Sequence, residues 1–220
     1  MDHAVEQIAE HYNEQLVNKM YANDIGGQRS CNTNQDLFAH VHAFFLQLGS
    51  ARDYLATFIA SRLGMDTRHG KVDTMSALRS NLRAKHDKQE PTLDLLIKKQ
   101  WLVSKEDDPN RWVTPGWLSE ITDLRNEIVH RRPYGSVFAE RFGWVTPLRP
   151  ELGLYRYFRP IVIKDQPERD LLDVICSHYR ICTELFFEAA KASGLNTSMV
   201  TLTDEDIVSL EVTHPRTIDN

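Results

Sequence analysis

Arg125, Asn126 and His130 stand together in the stretch DLRNEIVHRRP, residues 123–133, where an apolar helical pattern runs into a proline. A guanidinium grips a phosphate through several donors, an imidazole moves protons near neutral pH, and a carboxamide orients either partner. These three types at one helix end can hold an anion and transfer a proton beside it. On an ideal helix Asn126 and His130 are four apart, on one side of the stripe formed by Leu118, Ile121, Leu124 and Ile128. Arg125 lies about 140° around the helix from His130, and its long side chain reaches across the same surface. The carbonyl end of the helix favours imidazolium, whereas Arg125, Arg131 and Arg132 oppose it, a balance that can leave His130 titrating near neutrality. The plain alternative is an ordinary helix end, where arginine and histidine cap free carbonyls.

The elements that must position these residues are mostly helical. Val5, Ile8, Tyr12, Leu16 and Met20 predict a first helix from Asp2 to Ala22. A cap near Asn34 opens a long second helix carrying Leu37, Val41, Phe44, Phe45, Leu48, Leu55, Phe58 and Ile59 and ending at Gly64. Gly49 interrupts it at a cost in helix propensity. Further helices are expected over Lys71–Lys85 and from Pro91 to Trp101, followed by the polar loop SKEDDPN. The signature helix is expected to start with Thr114 as cap and Pro115 in its first position, and to stop at Pro133. Residues 137–165 change character, with aromatic and β-branched residues broken by Gly and Pro, and predict an inserted β-hairpin or ordered loop. Pro167 opens the last long helix, which Gly194 ends. The expected fold is all-α, an antiparallel helical bundle in a single domain over 1–194, with residues 1–30 as an N-terminal helical extension and 195–220 as a polar, acidic tail.

Composition narrows the function classes. The chain has 220 residues, 41% hydrophobic and 26% charged, enough for one core without staples. Cys31, Cys176 and Cys182 form no CxxC pair, and with an odd count they fit neither a disulfide framework nor a zinc knuckle; a reducing cytoplasm is expected. No segment reads as a membrane span or secretory leader. The net charge of −5 hides an asymmetry: from Arg125 to Lys164 there are eight basic and three acidic residues, from Gln166 onward four basic and ten acidic. A basic surface of that kind suits a polyanion. His40 and His42 diverge by about 200° on a helix, so they do not form a metal pair, and no metal or cofactor is expected. G-x-x-x-x-G-K, G-x-G-x-x-G, G-x-S-x-G and H-E-x-x-H are absent.

The R-N-E-I-V-H stretch resembles the R-N-x-x-x-H form of the HEPN superfamily signature, an arginine followed by a histidine near the end of a core helix. The architecture from about Asn34 to Gly194 is similar as well: a long early helix, a signature helix, an insertion and a final long helix. The resemblance implies a metal-independent endoribonuclease of the toxin or phage-defence kind, whose composite cleft forms across a homodimer and which a protein partner can neutralise. It implies that His130 acts as base on a ribose 2′-hydroxyl or acid toward the leaving oxygen, that Arg125 holds the scissile phosphate, and that Asn126 orients one of them. Asp53 on the long helix is a candidate to support the cluster, and Arg131, Arg132, Arg141, Arg156 and Arg159 are candidate RNA contacts among stacking aromatics. The competing expectation is a non-catalytic HEPN-fold module that binds RNA or a protein partner.

Overall fold

In the computed structural model, residues 1–24, 34–68, 70–82, 89–131, 143–161 and 167–198 are described. Helices dominate: α1 (Asp2–Tyr21), α2 (Asn34–Leu63), α3 (Met75–Asn81), α4 (Pro91–Lys98), α5 (Trp117–Arg125) and α6 (Leu171–Ala192). Three antiparallel strand pairs accompany them: β1 (Val103–Ser104) with β2 (Trp112–Val113), β3 (Trp144–Arg149) with β4 (Leu154–Phe158), and β5 (Pro160–Ile161) with β6 (Arg169–Asp170). No helix among the described residues is long and apolar enough to cross a membrane.

Helix α2 is the axis of the bundle because its apolar residues surround it. Val41, Phe44, Phe45, Leu48, Ala56, Ile59 and Ala60 are fully buried, and α1, α3, α5 and α6 all pack on this helix. Phe58, expected inside, is 37% exposed. Helix α1 belongs to the same core through Ala4, Ile8 and Tyr12, with Val5 and Leu16 packed against it; it also buries His11, Gln15 and Lys19, while Met20 is exposed. Its C-terminus turns on Asn23 at φ 51°, with the Asp24 amide bonded back to the Lys19 carbonyl, close to the expected end at Ala22.

Several boundaries move for local reasons. Helix α3 begins at Met75, where Thr74 caps by accepting from the Ala77 amide at 3.2 Å, later than the expected Lys71. Helix α5 starts at Trp117, two residues after Pro115, because Gly116 takes φ 63° against the Trp101 indole, and Thr114 does not cap it. The SKEDDPN segment turns between β1 and β2. The expected hairpin is present as β3 and β4, joined through Pro150–Leu152 and Gly153 at φ 65°. Helix α6 begins at Leu171, since Arg169 and Asp170 pair with Ile161 and Pro160 first. It ends on Gly194 at φ 78°, with the Leu195 amide returning to the Ala190 carbonyl.

A buried polar knot ties α1 to the start of α6. Tyr12 donates its hydroxyl hydrogen to Asp170 at 2.8 Å and accepts from the Leu172 amide at 3.1 Å, and Asp170 also accepts from the Arg159 amide at 3.0 Å. The Tyr157 ring from β4 sits edge-on against Tyr12, which docks the hairpin onto α1.

Candidate functional site

The signature helix does not stay α-helical. After Arg125 the backbone widens into a π-helical segment, Asn126–Arg131, that carries Asn126 and His130 and packs on α2. With an i→i+5 ladder turning about 80° per residue, the His130 Cα comes to roughly 40° from that of Arg125, under half the separation of a regular helix. Short π stretches are rare and recur at functional sites. Pro133 and the candidate contacts Arg132 and Arg141 lie outside the described residues, whereas the backbone of His130 and Arg131 closes the π segment.

Arg125 is placed by a glycine. A Cβ built on Gly49 would come within 2.6 Å of the Arg125 Cδ and 3.0 Å of its Nε, so only glycine lets this side chain lie across α2. The Arg125 Nε is buried and has no hydrogen-bond partner. A buried guanidinium N–H left unpaired costs about 1–3 kcal/mol.

Neighbouring residues hold the two helices in register. Arg52, one turn from Gly49 on α2, donates to the Thr122 hydroxyl on α5, and Thr122 donates to the Leu118 carbonyl at 2.8 Å. Asp53 accepts from Arg52 at 3.0 and 3.2 Å and from the Met75 amide at 3.1 Å. Asp53 therefore orients Arg52 and pins the start of α3, reaching the signature helix through Arg52. Arg52 and Thr122 were not singled out in the sequence and Gly49 was read there only as an interruption of the helix; the three-residue spacing of Gly49 and Arg52 on one helix face was the available signal.

The basic surface is smaller than the sequence implied. Arg159 is 1% exposed, its guanidinium 5.2 Å from the Phe38 ring centre, because β5 turns inward to pair with β6; it is a core residue and not an RNA contact. Arg156 is partly exposed over Phe158 and pairs with Asp173 at 3.4 Å. Trp144 packs on Phe158 and Tyr157 is buried, so these aromatics serve the hairpin's own packing.

Elsewhere, His178 on α6 accepts from the Trp117 indole at 2.9 Å and faces Glu120 at 3.6 Å. Burial, then Arg169, lowers its pKa to about 4, which keeps it neutral. His40 lies edge-on to His3, and among the described residues no three of His, Cys, Asp and Glu converge to hold a metal ion. Comparison with family models, curated proteins and solved structures returns no match, so the functional reading rests on the geometry of Arg125, Asn126 and the π segment themselves.

Proposed function

We propose that this chain is a HEPN-type endoribonuclease that cuts RNA without a metal, of the toxin or phage-defence kind. The observation that carries the reading is Arg125: half-buried and packed against Gly49, with an unpaired Nε, at the entry to a π segment that brings the backbone of His130 towards the same side. In this reading His130 takes the proton of the ribose 2′-hydroxyl or gives one to the leaving oxygen. Arg125 holds the scissile phosphate as its charge develops, and Asn126 orients one of the reacting groups. Asp53 acts at a distance by fixing Arg52, and through it α5. Arg131, Arg132, Arg141 and Arg156 would guide the RNA backbone, and two copies would meet with their signature helices facing one cleft. The setting would be the cytoplasm, with a neutralising protein partner or the acidic tail covering the cleft.

The test is incubation of wild type and His130→Ala with structured RNA in excess chelator, followed by analysis of the product ends. Cleavage by wild type alone, leaving 2′,3′-cyclic phosphates, is the expected result. Intact RNA across a panel of folds, with both proteins dimeric and folded, would remove catalysis. A non-catalytic HEPN-fold module that binds RNA or protein would then stand, a reading favoured by the burial of Arg159 and the pairing of Arg156.

A further inference from the structure

Away from the signature, the C-terminal end of α6 borders an open groove of about 490 Å³ whose walls are almost wholly apolar. One wall is Ala51 on α2; the other is the α6 stripe of Phe186, Phe187 and Ala190, at the spacing that shares one helix face. Phe187 is 54% exposed, and Leu195, just beyond the helix and lining the same groove, is 60% exposed. Large apolar side chains exposed together mark a surface that a partner covers.

The chain itself leads into this groove. Past Gly194, residues Leu195, Asn196 and Thr197 line it, and the Ser198 amide donates to the Asn196 carboxamide oxygen at 3.0 Å, a turn at the groove's lip. Residues 199–220 lie outside the described residues; their sequence carries the acidic run Asp204, Glu205, Asp206, followed at once by Ile207, Val208, Leu210 and Val212. A charge match accompanies the apolar one. Arg180, Phe187 and Lys191 follow on α6 at i, i+7 and i+11, so both cations stand on the Phe187 flank. Arg180 makes a long 3.9 Å pairing with the exposed Glu184, and Lys191 has no ion pair among the described residues, whereas Glu188 is engaged by Lys99 at 2.8 Å.

We propose that this groove seats a segment of the same chain, the apolar run of residues 207–212, with Asp204, Glu205 and Asp206 set against Arg180 and Lys191.

Reach and concentration favour this occupant. From Thr183 to Ala190 the groove follows α6 for about 10 Å at the helical rise, whereas the ten residues from Thr197 to Ile207 extend up to about 33 Å, enough to fold back over it. A tethered segment is present at an effective concentration on the order of millimolar, which a second copy or another partner at ordinary dilution does not match. Burying Ile207, Val208 and Leu210 there removes apolar surface from water on both sides. Gly49 and Ala51 are two apart on α2, about 200° around it, so the groove lies on the other side of that helix from the Arg125 seat. The inference therefore does not depend on the nuclease reading, and the acidic segment, seated here, leaves the signature cleft to the separate protein partner.

The experiment is nuclear Overhauser spectroscopy on the full chain with labelled methyl groups. Contacts from the Val208 and Leu210 methyls to the Phe186 and Phe187 rings are expected, unchanged on dilution. The dye anilinonaphthalene sulfonate gives an independent readout: its fluorescence should rise several-fold in the combined Ile207→Asp, Val208→Asp, Leu210→Asp variant, because the emptied groove then takes up the dye. Contacts seen only between differently labelled chains would assign the groove to a second copy; absent contacts, or equal dye fluorescence in wild type and variant, would leave it open. Each of those results overturns the proposal, and should the variant fail to fold, the methyl contacts decide alone.

Discussion

The two ends of α5 treat their polar groups in opposite ways. At its start, Trp117 and His178 satisfy each other in the core, much as Tyr12, Asp170 and the Leu172 amide do nearby. At its end, Arg125 is packed as tightly against Gly49, yet its Nε is left open. Closed networks hold a fold in one arrangement, whereas an open buried donor is useful only when something arrives to accept from it. The contrast separates residues that maintain the bundle from residues that would work on a ligand, and each can be perturbed alone.

The largest effect should come from acid, acting on the closed side. His178 and His11 are held neutral with pKa values lowered to about 4, while in the unfolded chain each takes up a proton below about 6.5. The unfolded state then binds more protons, so stability is full above pH 6.5 and falls between 6.5 and 4, by on the order of 3 kcal/mol per histidine. Asp170, whose carboxyl burial raises above the usual range, works against the trend at its lower end. Urea midpoints at pH 7.5, 6 and 5 measure this; a flat profile would mean that neither imidazole is as dry as its surroundings indicate.

Tyr12→Phe should cost about 1–3 kcal/mol by deleting a donor to Asp170 and an acceptor for the Leu172 amide, with the proposed RNA cleavage unchanged. Equal loss of cleavage and stability would show that the two regions are not separable. The smallest stability effect should come from Gly49→Ala. Alanine favours the helix by up to about 1 kcal/mol, but its methyl displaces the Arg125 stem. The variant should melt within a few degrees of wild type and lose most of the proposed cleavage; cleavage equal to wild type would show that Arg125 does not need its seat on α2.

Much of the bundle could be read from periodicity, because Leu37, Val41, Phe44 and Phe45 recur at a spacing only a helix buries together. The hairpin announced itself through Pro, Gly and alternating aromatics. What escaped is what tertiary contact decides. Pairs as short as β5 with β6 carry no pattern of their own, and the positive φ of Gly116 depends on an indole fifteen residues earlier. Arg159 looked like its exposed neighbours because burial of a cation is set by what folds over it. The signature could be found from residue types alone, but Gly49 read only as a helix defect until Arg125 lay across it.

The widened turn after Arg125 also acts as a change of phase. Upstream, Leu118, Ile121 and Leu124 keep step with α2; downstream, the slower rotation brings Ile128 almost directly in line with Leu124 and still within the core. The helix thus has two clocks, one timed to packing and one to the polar signature, joined where Asn126 begins. Straightening the segment to a regular helix with every residue kept would return the residue-130 Cα to about 140° from that of Arg125, carrying the two signature positions apart without touching either side chain.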